Sequence, residues 1–251
     1  MKIKKQLEDL KSKERNIYFI HYSCESLNDA NEGYSPRITS IAVLHYASRQ
    51  MSSFSMHLIA EEKHIPRANI ANSYNDIETT LLKRFFKFAE SRGNDAIWVH
   101  WNMNNINFGF ETLEHRYRVL SGEEPYHINE NNRINLSALL ARKYGPNYAK
   151  DPKMQNLMDL NGGKHRDYLS GQEEVSAFKA NEFVKMHNST MRKVMFFESV
   201  YEKMQKNKLR TDTNGFRYKV NELYQNAFVQ LLGVLGILGT LASLIYSLLK
   251  R

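Results

Sequence analysis

Apolar positions change their spacing several times along the chain, and each change predicts an element. Ile17 to His21 (IYFIH) is a β-branched and aromatic run that reads as a buried strand, and Asn28 to Pro36 is a turn-rich connection. Arg37 to Tyr46 (RITSIAVLHY) alternates and then runs apolar, and Ser53 to Ile59 (SFSMHLI) alternates. The residues between these two predicted strands fit a hairpin loop. In IETTLLKRFFKFA, Ile77, Leu81, Leu82, Phe85, Phe86 and Phe88 recur at helical spacing, with Asn75 or Asp76 as cap and Gly93 as stop. Ala96 to Trp101 (AIWVHW) predicts another buried strand, followed by the Asn-rich loop Asn102 to Asn107 and a helix from about Phe108 to Leu120. Asn135 to Tyr144 reads as a helix ended by Gly145 and Pro146, and Asp151 to Gly163 holds a second short one. From Glu173 to Lys206 the apolar spacing predicts one or two helices, the second beginning near His187 or Asn188. This order predicts an α/β domain in which an antiparallel hairpin feeds a sheet with parallel members.

The last stretch has no period. Ala227 to Leu249 (AFVQLLGVLGILGTLASLIYSLL) carries no charge, and Gln230 is its one strongly polar side chain. About 20 apolar residues rising about 1.5 Å each cross a hydrocarbon core of about 30 Å, so the stretch predicts a single transmembrane helix. A helix buried against the soluble fold or a partner is the alternative. Placed last, the span would insert as a tail anchor. Lys203, Lys206, Lys208, Arg210, Arg217 and Lys219 before it predict a cytoplasmic N-terminal domain, with Lys250 and Arg251 arguing the other way. Gly233, Gly236, Gly239 and Ser243 place small residues along the helix and make homo-oligomerisation an open expectation. The chain divides into a basic arm (1–16), a domain (17–206), a juxtamembrane linker (207–226) and the span (227–249).

Composition adds two constraints. A chain of 251 residues that is 42% hydrophobic and 25% charged has material for a packed core, and its formal charge of +8 favours an anionic partner. Part of that excess flanks the predicted span. The single cysteine, Cys24, excludes an internal disulfide framework and fits a reducing compartment. The N-terminal stretch lacks the apolar core of a signal peptide. There is no Gly-rich phosphate loop, Cys-His metal spacing or nucleophile elbow.

Three segments carry a resemblance. IYFIHYSCESL followed by PRITSIAVLHY, then WVHWNMNNINFGFETLEHRY, then HNSTMRKVMFFESVY together resemble the motifs of the DnaQ-like 3'-5' exonuclease family of the ribonuclease H-like fold, over Ile17 to Met204. The resemblance implies a mixed sheet flanked by helices. It implies His187 as the counterpart of the family's general base. The carboxylates of that family are missing: His21 and Ser23 stand at the first-motif Asp and Glu, Asn107 at the second-motif Asp and Arg192 at the final Asp. Two-metal hydrolysis needs clustered acidic oxygens around two cations about 4 Å apart, and a guanidinium repels them. Glu25 is the replacement ligand if the enzyme is active, with Asp29, Glu32, Asp159 or Asp167 as loop alternatives.

A site made of His21, Ser23, Asn107, His187 and Arg192 would bind a phosphate without metal, through charge-assisted hydrogen bonds. The leading expectation is a pseudoenzyme that recognises a nucleic acid, nucleotide or phosphorylated signal and acts at the membrane. In layout it resembles bacterial membrane effectors of antiphage defence. A membrane-tethered 3'-5' exonuclease using Mg or Mn is the second expectation, and a scaffold recruiting a protein partner the third. Trp98 and Trp101 read as core residues rather than as base-stacking platforms.

Overall fold

The computed structural model describes residues 3–26, 36–104 and 108–213. The span predicted at 227–249, its small-residue stripe, most of the linker, the 28–35 turn and Asn107 lie outside the described residues. Among the described residues, no helix is long and apolar enough to cross a membrane.

Five strands form one mixed sheet in the order β3-β2-β1-β4-β5. They are β1 (Ile17–Cys24), β2 (Ile38–His45), β3 (Met51–Ser55), β4 (Ile97–His100) and β5 (Arg133–Asn135). β2 runs antiparallel to both β1 and β3, whereas β4 runs parallel to β1 and β5 parallel to β4. The predicted antiparallel hairpin and parallel members are therefore both present. β5 carries no pattern of its own in the sequence, because three residues are too few to show a period.

All eight residues of β1 are buried, since helices cover both faces of the central strand. Tyr18, Ile20 and Tyr22 face one apolar cluster, built with α3 (Tyr74–Arg92) through Leu81, Leu82 and Phe85, and with α4 (Phe110–Ser121) through Phe110 and Leu113. Ile17 and Phe19 face the other, built with α5 (Leu136–Tyr144) and with α8 (Phe183–Gln205) through Val194, Phe197, Val200 and Tyr201. α1 (Ile3–Ser12) is the predicted basic arm in helical form, and its Leu10 is buried in this second cluster. Residues 207–213 pack on the same side: Leu209 is buried, and the Asp212 amide donates to the Tyr148 carbonyl at 2.9 Å.

Several boundaries differ from the sequence reading: β1 runs three residues past His21 to Cys24, and β3 begins at Met51. The strand predicted at Ser53 to Ile59 stops at Ser55, and α2 (Met56–Glu62) begins at once. Met56, Ile59 and Ala60 are the buried residues of α2, and their i, i+3, i+4 spacing belongs to a helix. The last long helix starts at Phe183, not near His187. Its predecessor α7 (Gly171–Lys179) is closed by Ala180 and by Asn181, whose positive φ of 53° breaks the helical path.

Candidate functional site

On the α8 side, β1 turns from apolar to polar at its carboxyl end. Ile17 and Phe19 are followed on the same face by His21 and Ser23, 5% and 1% exposed. Polar groups buried this deeply must find partners or carry a cost. Ser23 finds them on two helices: its hydroxyl donates to Glu174 Oε1 of α7 at 2.8 Å and lies 2.7 Å from Thr190 Oγ1 of α8. Thr190 Oγ1 also lies 2.6 Å from Ser40 Oγ of β2 and donates to the Met186 carbonyl at 2.8 Å. Glu174 Oε1 further accepts from Lys193 Nζ at 2.6 Å and from Ser189 Oγ at 3.2 Å. Glu174 and Lys193 are 6% and 5% exposed, so one carboxylate and one ammonium are held in contact within the protein interior.

Glu174 is delivered by a well-defined helix start. Ser170 and Glu173 form a reciprocal capping box, in which the Glu173 amide donates to Ser170 Oγ and the Ser170 amide to Glu173 Oε2. The next residue, Glu174, is thereby turned toward β1. Lys193 flanks the apolar stripe of α8, three residues after Thr190 and four before Phe197, which places all three on the sheet-facing side.

A cavity of about 240 Å³ opens onto this network, lined by Trp101, Asn102, Phe108 and Tyr168 above His21, Glu174 and Lys193. The His21 ring meets Phe108 and Phe197 edge to face at centroid distances of 5.7 and 5.6 Å. Its Nδ1 is buried without a hydrogen-bond partner among the described residues. Burial, then the Lys193 ammonium, hold its pKa well below the usual histidine value, so the imidazole is neutral near pH 7. Tyr168 is pushed up to about 12, chiefly by burial and next by Glu174. Burial raises the Cys24 thiol as well, leaving it a poor nucleophile. Asn102 takes a positive φ of 53° at the end of β4, and its Oδ1 accepts from Asn135 Nδ2 at 3.1 Å.

The residues singled out in the sequence are thus divided. His21 lines the cleft, and Ser23 is joined to it through its hydrogen bond to the lining residue Glu174. Asn107 lies outside the described residues. The His187 ring lies tilted against His57 of α2 at a ring-centroid distance of 4.9 Å, and its Nε2 is buried without a hydrogen-bond partner among the described residues. It sits ten residues before Phe197 on α8, about 15 Å along the axis from the turn that touches His21. Its pKa is lowered to about 4, mainly by burial and then by His57. Arg192 is part-exposed and lies 3.6 Å from Asp167 Oδ2, not at the cleft base. Five residues on a helix turn through about 140° beyond a full revolution, so His187 and Arg192 face different ways. Glu25 forms an ion pair with Arg37 at 3.2 Å.

Two of the principal polar groups, Glu174 and Lys193, were not picked out by sequence reasoning, although Ser170-Gly-Gln-Glu173 carried the capping signature that fixes the start of α7. Trp101 is both core and cleft wall: its ring stacks on Phe197 at 5.8 Å while also lining the cavity. Among the described residues, no group of three or more His, Cys, Asp or Glu side chains is arranged to hold a metal ion. No known family model matches the chain, and no curated protein matches it.

Proposed function

We propose that the protein is a membrane-anchored domain of the exonuclease-type ribonuclease H-like fold that has lost hydrolysis and recognises a nucleic acid or nucleotide at the carboxyl end of β1. The observation that carries this reading is the Glu174–Lys193 pair at 2.6 Å. A nuclease of the two-metal type needs several uncompensated carboxylates in this place. Here, among the described lining residues, the one carboxylate is Glu174, and an ammonium already neutralises it. The antiparallel hairpin joined to parallel strands supports the fold assignment, and the polar end of a buried central strand supports the location of the site. The aromatic walls suit stacking against a base. Recognition at the membrane follows from the charge-free stretch 227–249, with its small residues as the contact for self-association. A role as a defence effector rests on this layout alone.

The test is incubation of the full-length protein with a labelled single strand in magnesium, in manganese and in chelator. The expected result is an intact strand in all three, bound equally well with and without chelator. Chelator-sensitive degradation overturns the pseudoenzyme reading, and absence of binding to any strand or nucleotide favours a protein scaffold.

A further inference from the structure

The walls and the charges of the cleft make different demands on a ligand. Its volume of about 240 Å³ is smaller than the about 300–1,000 Å³ of pockets for drug-sized molecules, so it holds one ring system and not a length of strand. Tyr22, Trp101, Phe108 and Tyr168 contribute aromatic rings to the wall, with Phe108 tilted against Tyr22 at a centroid distance of 4.4 Å. The charges cancel at contact, because a phosphate drawn to Lys193 meets Glu174 beside it. The other groups named for anion binding stand elsewhere: the Arg192 guanidinium is beside Asp167, and His187, neutral near pH 7, is beside His57. At the base, His21 lines the cavity with a neutral ring, and its buried Nδ1 has no hydrogen-bond partner among the described residues. A neutral imidazole offers one donor and one acceptor, which matches the edge of a heteroaromatic ring.

We infer that the group entering the cleft is an uncharged nucleobase, seated against Phe108 with its polar edge at His21, while the phosphate stays outside. This rests on the nucleotide-recognition reading above. It reverses the expectation of a phosphate pocket: the base supplies the affinity, and a nucleoside suffices.

The full-length protein in detergent is titrated calorimetrically with the four ribonucleosides, their 5'-monophosphates and inorganic phosphate, at low and high salt. At least one nucleoside binds within about threefold of its monophosphate with little salt dependence, and inorganic phosphate does not bind. Phe108→Ala weakens that binding by about tenfold or more, as loss of an aromatic–base stack does. His21→Phe keeps the ring and removes the polar edge, so it changes the order of preference among the bases. Circular dichroism confirms that both variants fold. Binding that requires the phosphate and falls steeply with salt overturns this inference and leaves nucleotide recognition standing. Failure of every nucleoside, nucleotide and strand to bind overturns both.

Discussion

Lys193 Nζ lies 2.6 Å from Glu174 Oε1 with both side chains more than nine-tenths buried, and the same oxygen accepts from Ser23 and Ser189. The pair ties α7 and α8 to the polar end of β1. The pairing leaves Glu174 itself without an uncompensated charge to offer a divalent cation.

Lys193→Met strands a buried carboxylate. The expected cost is about 3–5 kcal/mol of stability, whereas the Glu174→Gln, Lys193→Met double variant recovers much of it. Denaturant unfolding of the four corners of this double-mutant cycle measures the coupling. A Lys193→Met variant as stable as the parent contradicts the pair.

Arg116 donates to both carboxylate oxygens of Glu78 at 2.7 Å, and Glu78 Oε1 also accepts from the Ile38 amide at 2.8 Å. Glu78 is fully buried and joins α3 to α4 and to the first residue of β2. Arg116→Leu is expected to destabilise by about 3–5 kcal/mol. Removing the carboxylate in Glu78→Leu frees the Ile38 amide, so its hydrogen exchange should accelerate ahead of the β2 centre. Equal protection at Ile38 and Val43 contradicts this account.

Burial lowers His21 well below 6.5, and lowers His100 and His187 to about 4. From pH 6.5 down to about 4 the unfolded chain takes up protons that the folded protein refuses. The unfolded state therefore binds more protons, and stability rises with pH across that window and is lost on acidification. Denaturant midpoints between pH 7 and pH 4.5 should fall steadily, and His187→Gln should flatten the slope. A midpoint that rises on acidification has the opposite sign and rules this out.

His187 contacts His57 rather than the cleft base. His187→Ala is expected to change nucleoside or strand binding by less than about threefold, under 1 kcal/mol. A loss comparable to that of Phe108→Ala would place His187 in the binding machinery.

Deletion of 227–249 is expected to move the protein from the carbonate-washed membrane fraction to the supernatant with its unfolding midpoint preserved. Retention of the deleted form on membranes would transfer the anchoring role to another segment.

The pattern of the chain was enough for the α/β class, because period two in RITSIAVLHY and period 3.6 in IETTLLKRFFKFA are local properties of strand and helix. It was enough for β1, β2, β4 and the helix on Leu136–Tyr144. The strand that the pattern predicts ends at His21; β1 runs on to Cys24, which places Ser23 on the same buried face. The uncharged stretch at 227–249 is likewise a statement of sequence. Only the tertiary structure decided which charges meet. Lys193 and Arg192 are neighbours in sequence with equal formal charge, yet α8 turns one inward to Glu174 and the other outward to Asp167. That choice depends on the rotation of α8 against β1 and β2, set by Val194, Phe197 and Tyr201 packing on Phe19 and its neighbours. Glu174 enters the site only because α7 folds back beside α8, a contact between positions 19 residues apart that no local period encodes. His187 was drawn away for the same reason: its partner, His57, lies on a helix where the alternating pattern had suggested a strand. Periodicity fixes which residues are buried; the docking of one element on another fixes what a buried charge finds there.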